Sequence, residues 1–376
     1  MKKIIVVHVV EALGGGVYSY FKALSFFFGN LNSEIETYII YSGNRSEINP
    51  LKVKEEFSPD VNLIEVPMIR EFSLTKDAES TVQLIKTLKK INADIIHLHS
   101  SKAGVLGRIS NFFLKKKSVV YYTPHGYSFI RTDISKLKKT AYKLIESKMN
   151  YFFDATTISC GDTEHEIASG IGKSSLIRNG VNIKHISKHF KMPQNERLTI
   201  GIVGRITEAR NPQIFNNIAL RYPKYNFIWI GDGHLRKEIT APNISVTGWL
   251  FNETDVLKHL ASIDIYIQTS SWEGLPIAIL EAMALKKPVV ATNIIGNKDI
   301  VLHDETGFLF ETIDASLDTY FTILEDADKR LEMGEKGFKR CENLFDINKN
   351  FNDLYSIYQK DLYINNNKQK EKPKSR

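Results

Sequence analysis

Residues 265–284 read IYIQTSSWEGLPIAILEAMA. A β-branched and aromatic run, Ile265–Thr269, gives way to a loop carrying Ser271, Trp272, Glu273 and Gly274. An apolar helical segment follows, and Pro276 suits its first turn because proline's fixed φ and missing N–H cost nothing there. A strand that feeds a helix through a short loop is half of a βαβ unit. The alternation recurs on both sides of this stretch. Strands are predicted at Lys3–Val10, Glu36–Tyr41, Asn62–Val66, Ile95–His99, Ser118–Thr123 and Ala155–Ser159. A second series follows at Leu198–Val203, Asn226–Ile230, Ile244–Thr247, Ile265–Thr269 and Pro288–Ala291. Amphipathic segments such as Val17–Phe28, Ser80–Ile91 and Lys136–Met149 lie between them. The pattern predicts an α/β protein of two doubly wound parallel sheets.

The predicted organisation is an N-terminal domain over 1–183, a polar linker over 184–197 containing Pro193, and a second domain over 198–345. A helix at 346–364 is expected to pack back on the first domain, ahead of a disordered basic tail at 365–376. The chain is expected to be mainly helical after Gly307.

With 376 residues, 43% hydrophobic and 25% charged, the chain has the composition of a globular protein. No apolar run approaches the ~20 residues that span a bilayer. Met1-Lys2-Lys3 followed by Ile4–Val10 imitates a signal peptide, but the run is short and ends at Glu11 and three glycines, so a buried strand is expected. Two distant cysteines, Cys160 and Cys341, predict neither a disulfide framework nor a zinc site, and point to a reducing cytoplasm. The net charge of +7 is unevenly spread: Lys86–Lys148 holds fourteen Lys/Arg against Asp94, Asp133 and Glu146. Such a block attracts phosphorylated substrates or anionic lipid. No zinc-finger, RNP or helix-turn-helix signature accompanies it, so nucleic acid is not expected as a partner.

Five features carry candidate chemistry. Gly14-Gly15-Gly16 precedes a helix, where close backbone approach and free N–H groups suit an anion. A tight turn explains it equally, and the absence of G-x-G-x-x-G argues against a dinucleotide. Gly204-Arg205, with Arg210 five residues on, puts two guanidiniums in a loop at a strand's carboxyl end, suited to a diphosphate, or else simply solvated. Glu273 and Glu281 could each accept bonds from vicinal hydroxyls, as sugar or ribose recognition requires, while Gly274, Leu275 and Ile277 offer backbone N–H groups. An ordinary amphipathic helix is the plain alternative. His125, between Pro124 and Gly126, ends a strand where a cleft or a structural role is open to it. His97 and His99 share a face, but with no third ligand in view a metal site is not expected. Asp326-Ala327-Asp328 falls in the helical region and is not expected to hold a metal–diphosphate.

Together these pieces resemble the retaining nucleotide-sugar glycosyltransferases of family 4, of bacterial surface-polysaccharide type. Glu273–Glu281 matches the family's E-x7-E signature with Gly-Leu-Pro inside it. Gly204-Arg205 with Arg210 resembles its basic pair, although lysine is usual at the second place. Gly231-Asp232-Gly233, Arg178-Asn179-Gly180-Val181 and Gly14–Gly16 follow the family's order, and the likeness spans roughly residues 4 to 345. The resemblance implies the GT-B fold, two Rossmann-like domains facing each other across a cleft, and sugar transfer without a metal or other cofactor. By the same resemblance Arg205 and Arg210 hold the diphosphate of a nucleotide-sugar, with Gly204 in their loop and Gly16 also meeting phosphate. Glu281 binds ribose, Glu273 with the N–H groups of Gly274, Leu275 and Ile277 binds the sugar, Trp249 and Leu250 frame the base, and His125 lies near the reacting centre. The implied setting is capsule, O-antigen or exopolysaccharide synthesis, with a UDP-sugar donor and a glycan acceptor, polyprenyl-diphosphate-linked. The implied location is the cytoplasmic face of the cell membrane, reached through the basic block. A nucleotide-sugar 2-epimerase of the same architecture, or a non-catalytic sugar-nucleotide-binding subunit, are the alternatives.

Overall fold

The computed structural model describes residues 3–11, 13–43, 50–69 and 71–371. It forms two compact units. The first is built from the chain up to Phe129, from Lys136–Ile177 and from the stretch beginning at Asn348; the second comprises Ile130–Ser135 and Arg178–Ile347.

The first unit is a seven-stranded parallel sheet of β1 (Ile4–Val10), β2 (Ile35–Tyr41), β3 (Asn62–Glu65), β4 (Ile95–His99), β5 (Val119–Thr123), β6 (Thr156–Ser159) and β7 (Ser174–Leu176), in the order 3-2-1-4-5-6-7. The second holds β8 (Thr199–Val203), β9 (Asn226–Ile230), β10 (Ile244–Val246), β11 (Ile265–Gln268), β12 (Val289–Thr292) and β13 (Gly307–Phe310), in the order 10-9-8-11-12-13. The central strands are apolar on both faces because helices cover both; Val6, Val7, Val9, Ile200, Ile202, Ile265 and Ile267 are all fully buried. In each sheet the winding reverses beside the first strand, between β1 and β4 and between β8 and β11. Loops leaving the carboxyl ends of those strands diverge there and leave room for a ligand.

Several expectations need correction. Two edge strands, β7 and β13, were not anticipated: Ser174-Ser175-Leu176 is short and half-exposed, and Gly307 interrupts the second run. Gly307 pairs with Val289, whose carbonyl oxygen would lie 2.1 Å from an added Cβ, so a glycine lets the strand sit close. Beyond β13 the described chain is mainly helical, as expected. Residues 184–197 are not a free linker. The helix Ile183–Ile186 and the 3-10 turn Ser187–His189 belong to the second unit, with Ile183 and Ile186 buried, and Asn195 Nδ2 donates to the Asp264 carboxylate at 2.8 Å. The boundary falls after Ile177, not 183, and Val181 pairs with Asp346. The tail expected to be disordered from 365 continues the helix Ile347–Glu371, and 372–376 lie outside the described residues. In the amphipathic helix Lys136–Phe152 only Glu146 and Met149 are buried, and Leu137, Ala141, Leu144 and Ile145 form an exposed apolar stripe.

The helix Ile347–Glu371 packs on the first sheet through aromatic contacts. Tyr358 is fully buried, stacks on Phe28 with centroids 6.1 Å apart and hydrogen-bonds His97 Nδ1, while Tyr121 donates to Asp361 at 2.8 Å. Tyr358→Ala should therefore lower the unfolding free energy of the first unit by about 3–5 kcal/mol, the usual cost of emptying a large aromatic site. Tyr358→Phe should cost only about 1 kcal/mol, the value of one hydrogen bond. Denaturant titrations of the two variants check this, and equal losses would contradict it.

Candidate active site

The chemistry of the second unit gathers where β8 and β11 end. Beyond β8 the chain turns at Gly204 with φ +142°, and a Cβ there would stand 2.8 Å from Arg210 Nε. A side chain at 204 would thus push Arg210 away. Gly231, after β9, is at φ +136° and passes so close to this loop that its Cβ would meet Gly204 O at 2.3 Å. The loop after β11 is clipped to the same place: Ser271 N donates to Ala209 O at 2.8 Å and Thr269 Oγ1 to Arg210 O at 2.7 Å.

This packing brings Arg210 against Glu273, and the two form an ion pair with both side chains largely buried. Ser270 Oγ donates to Glu273 Oε1 at 2.7 Å and Gln268 Nε2 donates to the same oxygen at 3.0 Å; Arg210 Nη1 reaches Ser270 Oγ at 3.1 Å. Tyr266 OH in turn donates to Gln268 Oε1 at 2.7 Å. The carboxylate is held by three donors, which fixes its orientation. Burial, with Arg205 nearby, pulls the Arg210 guanidinium below its ordinary pKa. Ser270 and Gln268 were not singled out from sequence; their one signal is a polar side chain at the end of an apolar strand.

Past Glu273, Leu275 and Ile277 are buried and the helix Ile277–Ala284 begins. Among the described residues the N–H groups of Gly274, Leu275 and Ile277 take no hydrogen-bond partner, as expected of donors at a helix mouth. Glu281 lies on this helix, half-buried, and its carboxylate makes no hydrogen bond to a described residue. Burial and then the charge of Glu253 push its carboxyl up to about 8. Arg205 is half-buried in the β8 loop. Trp249 (48% exposed) and Leu250 follow β10, where Thr247 Oγ1 accepts from Gly231 N at 3.0 Å.

In the first unit the corresponding switch point is lined by imidazoles. His125 follows β5 with φ +53°, an uncommon value for a side-chain-bearing residue, and Glu164 accepts from Gly126 N at 2.7 Å to brace the turn. His125 Nε2 bonds His99 Nδ1 at 3.0 Å, and His99 Nε2 bonds His8 Nδ1 at 3.1 Å. Burial lowers all of these rings: His8 to about 3, His125 to about 4, and His97 and His99 well below the usual value. The row is uncharged at neutral pH. Gly16 opens the helix Gly16–Gly29 behind Gly15 at φ +56°.

The absence of a third metal ligand does not hold. Parallel pairing sets His8 opposite His97, and the donor atoms of His8, His97 and His99 lie within 4.8 Å of one another. Sequence distance hid this trio. His97 already spends both nitrogens, on Tyr358 and on Thr123 Oγ1 at 2.8 Å, so an ion there would have to displace those bonds. Asp326 caps the helix Ala327–Leu344 by accepting from Asp328 N at 2.8 Å, which accounts for the Asp-Ala-Asp triplet.

Residues 197–326 match the family described as "Glycosyl transferases group 1", and residues 46–158 match "Glycosyl transferase 4-like". A relative from Escherichia coli, UDP-Gal:alpha-D-GlcNAc-diphosphoundecaprenol alpha-1,3-galactosyltransferase, is 31% identical over 333 residues, covering 79% of this chain and 82% of the relative. The chain is a group 1 glycosyltransferase. The capsular polysaccharide biosynthesis glycosyltransferase CapM of Staphylococcus aureus is 27% identical, over 78% of this chain and 83% of its own. Among solved structures, Anabaena Alr3699/HepE in complex with UDP and glucose superposes with a TM-score of 0.76 at 16% identity, covering 95% of this chain and 100% of that one, which shows a shared GT-B fold.

The position of Glu281 in this glycosyltransferase has a measurable consequence. A carboxyl whose folded pKa is raised favours the fold while protonated, and that stability is lost as the pH climbs from about 4.5 through about 8. Glu281→Gln should melt at a higher temperature than the wild type at pH 9, and the two should converge near pH 5. A difference that is flat with pH would show Glu281 to be ordinary.

Proposed function

We propose that the protein transfers a hexose or N-acetylhexosamine, with retention, from a UDP-sugar to a glycan acceptor carried on a lipid diphosphate, as a step in capsule, O-antigen or exopolysaccharide synthesis. The E. coli relative is named for UDP-galactose and a diphosphoundecaprenol-linked N-acetylglucosamine, and the same classes of donor and acceptor are inferred here. The observation that carries the reading is the Arg210–Glu273 pair beside an open helix mouth at the switch point of the second sheet.

In this reading Arg205 and Arg210 hold the diphosphate, and Gly204 lets Arg210 lie close. Glu281 accepts from the ribose hydroxyls, and Trp249 and Leu250 frame the base. Glu273, with the N–H groups of Gly274, Leu275 and Ile277, binds the sugar. Gly16 meets phosphate and His125 lies near the reacting carbon, its neutral ring a hydrogen-bonding group rather than a cation. The C1–O bond to the diphosphate breaks as the acceptor oxygen bonds C1 on the same face, and the acceptor's proton passes to the departing phosphate oxygen. The growing negative charge is met by guanidiniums, so no metal is required.

Each guanidinium is asked to supply on the order of 10²–10³ in rate, as one oxyanion donor does. Arg210→Ala and Glu273→Ala should each lower turnover by about that factor, measured as nucleotide diphosphate released against a panel of UDP-, GDP- and dTDP-sugars. Turnover should survive chelation. Variants that keep full turnover would discard the assignment, and loss of turnover with chelator would discard metal independence.

In this reading a lipid-linked acceptor implies that the enzyme works at the inner face of the cell membrane. No described helix is long and apolar enough to cross a membrane. The helix Lys136–Phe152 instead leaves Leu137, Leu144, Ile145 and Phe152 exposed among Lys136, Lys138, Lys139, Lys143 and Lys148. An apolar stripe flanked by lysines suits the interface of an anionic bilayer, at ~1 kcal/mol for each lysine near the surface. Sedimentation with phosphatidylglycerol vesicles should exceed that with phosphatidylcholine vesicles and should fall with added salt; equal recovery on both would refute this location.

A further inference from the structure

Among the described residues two buried cations lie outside the machinery above, and one of them, Lys287, donates to the Ala261 carbonyl. Arg108, in the helix Ser101–Phe112, is 3% exposed. Its guanidinium sits over the Tyr122 ring, 4.4 Å from the centroid, and makes no hydrogen bond or ion pair with a described residue; its Nε is sealed from solvent without a partner. A guanidinium carries five N–H donors, and sealing its Nε–H from water without a partner costs free energy. The buried Glu146 carboxyl feels the Arg108 charge but takes its hydrogen bond from Tyr122 OH, at 2.8 Å.

Arg108 lines a cavity of about 560 Å³ whose walls include Phe112, Phe152 and Phe153. The other charges around it are spent. Lys117 closes the preceding helix by donating to the carbonyls of Asn111 at 3.2 Å and Leu114 at 2.8 Å, Lys173 pairs with Asp154 at 2.9 Å, and Asp361 accepts from Tyr121 OH. What remains is one unsatisfied guanidinium at the back and an aromatic mouth: Phe112 is 60% and Phe152 66% exposed, with Phe113 and Tyr151 exposed beside them. A planar fork that matches phosphate, behind rings that suit acyl chains, is a site for an amphiphile with an anionic head.

We propose that this cavity takes the phosphate of an anionic membrane phospholipid, with the acyl chains lying over Phe112 and Phe152. The proposal rests on the membrane location inferred above and adds recognition of a headgroup to it. The bound lipid is not the acceptor. Val119 and Thr156, at the amino ends of β5 and β6, line the cavity, whereas His125 lies beyond the carboxyl end of β5, an end itself about 13 Å further along the strand.

Full-length protein is to be titrated with water-soluble dihexanoyl phosphatidic acid and with inorganic phosphate, and sedimented with phosphatidylcholine vesicles with and without phosphatidylglycerol. The wild type should bind the short-chain lipid more tightly than phosphate. Arg108→Met should weaken that binding about tenfold or more, the worth of one charge-assisted bond. Phe112→Ser/Phe152→Ser, which alters only exposed rings and leaves the fold intact, should weaken the lipid but not phosphate. If Arg108→Met keeps wild-type affinity for the lipid and for anionic vesicles, the headgroup site is overturned while the membrane location stands. Phosphate binding as tight as the lipid overturns the lipid assignment, and a wild type that ignores anionic vesicles overturns both readings.

Discussion

The second unit depends on one buried ion pair. Arg210 leaves the loop after β8 and Glu273 the loop after β11, the two strands between which the sheet reverses its winding. Neither side chain reaches the other unless Gly204 lacks a Cβ and the two loops are clipped backbone to backbone. Burying such a pair costs much of what its attraction returns, so stability alone is a poor account of it. Orientation is a better one. Three donors fix the Glu273 carboxylate, and the carboxylate in turn aims the guanidinium. In the proposed reaction an arriving diphosphate takes over Arg210 as partner and Glu273 is released toward sugar hydroxyls, so ligand binding exchanges one satisfied arrangement for another.

The first sheet reverses in the same way and solves the corresponding problem without charge. Where β1 and β4 part, His8, His99 and His125 form a hydrogen-bonded row, and burial keeps every ring neutral. His97 is tied off separately by Tyr358 of the last helix and by Thr123. The chain's final helix therefore supports the floor beneath His125, although it lies more than two hundred residues away in sequence. Two similar sheets thus carry opposite electrostatics: a charged clasp in one, an uncharged relay in the other.

Much of this was legible because it is local. Strands with unbroken β-branched runs, the Gly204-Arg205 loop and the Pro276 helix start declare themselves within a dozen residues. The parts that were not legible are those fixed by pairing over distance. His8 reads as a lone polar residue in VVHVV until register puts it opposite His97. The edge strands β7 and β13 pair on one side only, so Ser174–Leu176 needs little apolar character and Gly307 is admitted by a neighbour's carbonyl. Residues 184–197 look like a linker because Ile186 is their one buried member and the rest are half-buried or exposed. The apolar stripe on Lys136–Phe152 is legible from helical periodicity, which does not say what the stripe faces.

That stripe and the Arg108 cavity lie together for a geometric reason. The helix Lys136–Phe152 ends at Tyr151 and Phe152, beside Phe112 and the amino ends of β5 and β6, while the glycine loop and His125 occupy the carboxyl ends of β1 and β5. In a parallel sheet these edges cannot exchange roles: helix N-termini and diverging loops collect at the carboxyl edge, and the amino edge is left with helix C-termini, whose carbonyls attract cations such as Lys117. A lipid contact on the amino edge therefore leaves the carboxyl edge clear for donor and acceptor. On the proposed reading, the polarity of the strands separates attachment from chemistry within one small domain.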